Sequence, residues 1–122
     1  CFSSKIVIST SFLGGAFLVK YLAQNEFPQK IRGLFLVATP FEDNPPFYEL
    51  GDFALPNDFR QVVKQAEEIT LYHSRDDRSV PFRNMERLKN ILPKADLRIF
   101  EDRGHFMQSE LSELVRDIES TK

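Results

Sequence analysis

Residues 31–38, Ile-Arg-Gly-Leu-Phe-Leu-Val-Ala, form a nearly continuous apolar run that Thr39 and Pro40 stop. A strand apolar at successive rather than alternate positions must be covered on both faces. That need is met in a parallel sheet sandwiched by helices, and the remaining sequence has the matching punctuation. Residues 5–9, 68–73 and 96–100 are short, β-branched or apolar runs bounded by small polar residues, which predicts three more strands. Between them, residues 14–24 place Phe17, Leu18, Tyr21 and Leu22 at helical spacing and end before Pro28. Residues 58–65 read as a helix capped by Asn57 or Asp58, and residues 80–91 as one with Pro81 in its first turn. Residues 109–118 carry a one-sided stripe of Leu111, Leu114, Val115 and Ile118. Strand and helix thus alternate. The expected fold is α/β, a parallel sheet of about four strands with helices on both faces and right-handed crossovers.

Residues 40–56 break the alternation. Pro45, Pro46, Gly51 and Pro56 are interleaved with Phe41, Phe47, Tyr48 and Phe53, without helical or strand period and over an unusual length for a connection. Such a segment reads as a lid or pocket wall above the strand ends, or as a loop whose aromatics cap the core. The 122 residues make one domain or a piece of one. Because the chain opens on Cys1 and residues 5–8 already read as a buried strand, the expectation is a single partial domain over 1–122 with amino-terminal strands missing.

Charge and composition remove several classes of function. A net charge of −2 gives no electrostatic basis for binding nucleic acid or an anionic membrane. Arg83, Arg87 and Lys89 sit beside acids and read as a solvated helix face. No apolar run approaches the roughly 20 residues that span a bilayer. One cysteine forms no internal disulfide, so a reducing, cytoplasmic setting is the default.

The chemistry-bearing residues gather after strands. In Ser74-Arg75-Asp76-Asp77-Arg78-Ser79-Val80-Pro81, a carboxylate follows a strand and Pro81 opens the next helix. Asp77 there can orient a histidine and stabilise its protonated form; an aspartate in such a turn serves equally to cap a helix. Asp76, one residue earlier, is the alternative acid and is expected to point elsewhere. His105 follows Gly104, whose freedom lets the chain turn sharply, one strand later. His73 closes its strand and reads as a core or pocket-wall residue. Two distant histidines and a terminal cysteine supply no metal spacing, and Gly14-Gly15 alone is no phosphate loop, so no cofactor is expected.

Taken in order, Leu13-Gly14-Gly15-Ala16-Phe17-Leu18, Gly33-Leu34-Phe35-Leu36-Val37-Ala38-Thr39-Pro40, Tyr72-His73-Ser74-Arg75-Asp76-Asp77 with Val80-Pro81, and Asp102-Arg103-Gly104-His105-Phe106 resemble the α/β-hydrolase superfamily. The nearest resemblance is to its small retinoblastoma-binding serine-hydrolase-like group. The resemblance implies that the four strands match the fifth to eighth of the family, the carboxy-terminal half of the fold. It puts Asp77 in the acid's place and His105 in the base's. The family's nucleophile sits in a G-x-S-x-G turn, often G-H-S-L-G-G. Two registers fit it here. The ungapped one places Phe12 at the nucleophile position; one extra residue in the turn places Ser11 there, with the Phe12 N–H as an oxyanion donor.

Two functions follow from the resemblance. In the first, the chain hydrolyses a small ester, thioester or amide, with Ser11 as nucleophile, His105 as base and Asp77 as orienter, and Phe41, Phe47 and Tyr48 line the acyl pocket. In the second, Phe12 replaces the nucleophile and the chain is an inactive binding or interaction protein. Either way, a first strand with nothing before it predicts self-association, or pairing with a missing amino-terminal segment, through Ile6, Val7 and Ile8.

Overall fold

The computed structural model describes residues 5–105 and 112–120. Four strands and four helices follow one another as β1 (Lys5–Ser11), α1 (Leu13–Gln24), β2 (Lys30–Val37), α2 (Arg60–Gln65), β3 (Ala66–Ser74), α3 (Arg83–Ile91), β4 (Asp96–Phe100) and α4 (Ser112–Ser120), with a 3-10 turn at Gly51–Phe53. The sheet is parallel throughout, in the order β1-β2-β3-β4. Ser11, Val37, Tyr72 and Arg98 stand side by side across it. The carboxyl ends of β1, β3 and β4 therefore open onto one edge, where ligand sites gather in open α/β sheets.

Both faces are covered, as the apolar run of β2 demands. Leu34 and Leu36 of β2 with Ile69 and Leu71 of β3 pack against Val19 and Leu22 of α1, Val62 of α2, and Met85 and Leu88 of α3. The alternate residues Phe35, Val37 and Tyr72 face the other way, toward Leu114 and Ile118 of α4. Each such Leu or Ile, fully buried, contributes about 1.5–3 kcal/mol. Polar bonds fasten α4: the Tyr72 hydroxyl donates to Asp117 Oδ2 at 2.6 Å, and Arg98 Nε reaches the same oxygen at 3.1 Å.

Element boundaries depart from expectation where side chains claim the backbone. α3 begins at Arg83 rather than at residue 80, because Asp77 Oδ1 accepts the N–H groups of Ser79 and Val80 and holds them in a turn. α2 begins at Arg60, with Phe59 in the cap position; Asp58 accepts the Arg60 N–H at 3.0 Å and pairs with its guanidinium, and the expected Asn57 or Asp58 cap is not formed. The final helix, expected from residue 109, is described over Ser112–Ser120; residues 109–111, Leu111 included, lie outside the described residues. Buried Gln65 closes the end of α1. Its Nε2 donates to the carbonyls of Leu22 and Asn25, and its Oε1 accepts the Phe27 N–H.

Candidate functional site

Phe12 is the apex between β1 and α1, with φ 52° and ψ −129°. Three hydrogen bonds impose that backbone. Its N–H donates to Val37 O at 2.9 Å, and its carbonyl accepts from Gly15 N at 3.0 Å and Ala16 N at 3.4 Å. A positive φ on a bulky residue costs about 1–3 kcal/mol, so it persists only where the surroundings over-determine it. The surroundings here are tight. A methyl group on Gly15 would collide with the Thr39 hydroxyl, and one on Gly14 would come within 2.5 Å of Thr10 Oγ1. These two glycines let α1 begin hard against the strand ends, which forces the sharp turn.

On the same edge, Asp77 and His105 meet. The Asp77 side chain is fully buried, and its Oδ2 lies 2.9 Å from His105 Nδ1. With Oδ1 taken by two backbone N–H groups at 2.9 Å each, the carboxylate is held from both sides. A proton on Nδ1 directed at that carboxylate fixes the tautomer and leaves Nε2 of the neutral ring as the acceptor.

Asp76 braces the same loop from its other side. Its Oδ1 accepts from Ser74 Oγ at 2.5 Å and from Gly104 N at 2.8 Å. Those two bonds hold its carboxyl below the usual carboxylate range. Ser74 Oγ in turn accepts the Arg103 N–H at 3.0 Å. Gly104 turns at φ 57°, a conformation that any residue with a Cβ adopts at a cost, and the next residue is the imidazole. His73 lies beneath, 1% exposed, with its Nε2 donating to Val80 O at 2.7 Å and 3.6 Å from Asp77 Oδ2. Burial pushes its pKa down.

The ring of Phe12 stands edge-on to the His105 imidazole, with centroids 4.7 Å apart and planes at 87°. The Tyr48 ring also stands edge-on to Phe12, with centroids 5.5 Å apart and planes at 89°. Its phenol donates to Glu42 O, and burial followed by the nearby Glu42 charge pushes its pKa up to about 12. Ser11 is the last residue of β1, paired with Val37 and exposed; among the described residues no hydrogen bond joins it to His105. The Phe12 N–H, expected as an oxyanion donor, is instead committed to Val37 O.

Of the three residues expected to line the pocket, only Tyr48 comes to the turn. Phe41 packs on Phe59 under the guanidinium of Arg87, and Phe47 is 58% exposed. Residues 41–50 are firmly attached. Asn84, fully buried, accepts the N–H groups of Phe41 and Glu42 through Oδ1 and donates to Pro81 O through Nδ2. Asp43 Oδ1 accepts the Leu50 N–H, and Asn44 Nδ2 donates to Ser79 O. Sequence reasoning passed over Asn84 and Ser74. Each is a small polar residue whose signal is only a polar letter in an otherwise buried stretch.

Among the described residues, no three His, Cys, Asp or Glu side chains cluster as metal ligands, and no helix is long and apolar enough to cross a membrane.

No sequence-family model and no curated protein sequence matches the chain. Solved structures do. The ydeN gene product of B. subtilis is similar over 96% of this chain and 64% of its own, with TM-score 0.79 and 21% identity. The esterase domain of a Rhodothermus marinus protein is similar over 85% and 52%, with TM-score 0.61 and 18% identity. MGS-M1, an alpha/beta hydrolase enzyme from a Medee basin deep-sea metagenome library, is similar over 80% and 38%, with TM-score 0.54 and 18% identity. The chain thus spans less than two thirds of the length of each. At these identities the likeness concerns the path of the backbone, and the four-stranded parallel sheet with helices on both faces has the α/β-hydrolase fold.

Proposed function

We propose that this chain is an α/β-hydrolase-fold binding or interaction protein that performs no acyl transfer. The observation that carries the reading is Phe12 at the strand-to-helix apex, its ring against His105. A serine nucleophile must place its Oγ within hydrogen-bond reach of the base. A phenyl ring fills that approach and offers no atom to attack with. The test is an activity-based fluorophosphonate, which bonds only to an activated serine. The purified chain is expected to remain unlabelled. Labelling that disappears in Ser11→Ala would overturn the proposal.

A second reading is supported by the 2.9 Å contact between Asp77 and His105, an orienter and base set as serine hydrolysis requires. In it, the chain hydrolyses a small ester, thioester or amide with Ser11 as nucleophile. That use requires the turn to rearrange, bringing Ser11 to the imidazole and freeing the Phe12 N–H from Val37. Kinship with the small retinoblastoma-binding serine-hydrolase-like group belongs to the same proposal, as does a cytoplasmic setting, for which the single cysteine is the support.

A further inference from the structure

Two neighbouring carboxylates follow β3. Asp77 meets the His105 imidazole, whereas Asp76 meets the backbone that carries it. Asp76 is exposed, yet its Oδ1 accepts two hydrogen bonds, from Gly104 N at 2.8 Å and from the Ser74 hydroxyl at 2.5 Å. Ser74 is fully buried, and its oxygen accepts the Arg103 N–H at 3.0 Å. The amides of the two residues before His105 are thus both tied to the end of β3. Packing does not hold the turn at that point: among the described residues, no atom lies within 4 Å of where a Cβ on Gly104 would stand. The Arg103 guanidinium pairs with Glu113 at 2.6 and 3.2 Å, but that bond fastens a long side chain rather than the main chain.

We propose that Asp76 is a positioning residue for the His105 imidazole. By latching the Gly104 amide it sets Nδ1 on Asp77 and so selects the Nδ1–H tautomer. A hydrogen bond weakens steeply as its angle is lost, so a modest rotation at Gly104 parts ring and carboxylate. Glycine has no Cβ to oppose that rotation; the bond from its N–H does. The inference stands under either reading of the site, because it concerns how the ring is held and not what the ring does.

Imidazole nitrogen NMR of the whole, 15N-labelled chain reads the tautomer at about pH 8, where an ordinary histidine is neutral. His105→Gln assigns the signals against those of His73. The wild type is expected to show His105 predominantly as Nδ1–H. Asp76→Ala should lower the ratio of Nδ1–H to Nε2–H at least about tenfold, with an unchanged circular dichroism spectrum. Asp76→Asn keeps an acceptor oxygen in place of Oδ1, so its ratio should stay within about twofold of the wild type. That rescue separates a placed acceptor from a negative charge. Glu113→Gln touches neither amide and should likewise stay within about twofold. Should Asp76→Ala fail to fold, Ser74→Ala removes the Arg103 acceptor and one of the two Asp76 bonds, and the same ratio should fall at least about threefold. A wild type without a dominant Nδ1–H tautomer overturns the proposal. So does a folded Asp76→Ala with the wild-type ratio, an Asp76→Asn as shifted as Asp76→Ala, or an equal shift in Glu113→Gln. Loss of the fold in both alanine variants also overturns it, since the bonds would then support the chain rather than the ring.

Discussion

At the scale of single residues, the sharpest constraint is the contact between Gly15 and Thr39. Thr39 is buried, its Oγ1 has no hydrogen-bond partner among the described residues, and its Cγ2 would lie 3.1 Å from a methyl group on Gly15. In a helix, Gly→Ala ordinarily gains about 1 kcal/mol. Here overlap with the hydroxyl reverses the sign, and Gly15→Ala is expected to lose about 1–3 kcal/mol in urea unfolding. Thr39→Ala removes the two nearest atoms, Oγ1 and Cγ2, and with them a buried, unpaired hydroxyl, leaving only Cβ at 3.2 Å, so it should be neutral or slightly stabilising alone. Combined with Gly15→Ala it should restore most of the loss. Simple additivity in that double-mutant cycle would dissolve the steric account. In the sequence, Gly14-Gly15 was visible as a motif. The residue that makes Gly15 necessary lies 24 positions away, and no local pattern names it.

At the scale of elements, α4 is the one helix on its face among the described residues, and two side chains converge on Asp117 to hold it. Asp117→Ala leaves the Tyr72 hydroxyl without its acceptor, at a cost of about 1–3 kcal/mol. The loss should be local: amide exchange is expected to speed up in α4 while α1 and β2 keep their protection. Uniform acceleration across the chain would mean that α4 is not a separable unit. The strands and this helix were legible in the sequence because their apolar periods are strong. β4 begins and ends where its pattern did, and β2 declared itself by being apolar at every position but Lys30, Arg32 and Gly33. The starts of α2 and α3 were not legible. Asp77 was read as an orienter for His105, and its Oδ2 lies 2.9 Å from His105 Nδ1; that it also winds Ser79 and Val80 into a turn, delaying α3, depends on which way two carboxylate oxygens point. Phe41 was read with Tyr48 as pocket lining, yet its position on Phe59 follows from Asn84 pinning its N–H, a tertiary bond with no local signature.

At the scale of the whole molecule, His73 ties stability to pH. Its ring faces the Val80 carbonyl, the Asp77 carboxylate, the His105 imidazole and the Phe82 ring, and burial depresses its pKa below the ordinary value. The unfolded chain then binds more protons than the folded one in the window just below pH 6.5, so stability rises with pH through that window. The contribution is present above about pH 6.5 and lost as pH falls toward the folded-state value. Urea midpoints at pH 8 and pH 5.5 should fall with acidification, and fall less in His73→Gln. Equal slopes in the two proteins would assign the pH dependence to other groups. The turn at Phe12 has a different kind of consequence, one of time. An esterase discards what it binds by breaking it, so the life of its complex is set by turnover. On the binding reading, a hydrocarbon ring at the apex removes that exit. Occupancy is then governed by the off-rate alone, and an intact ester leaves as it arrived.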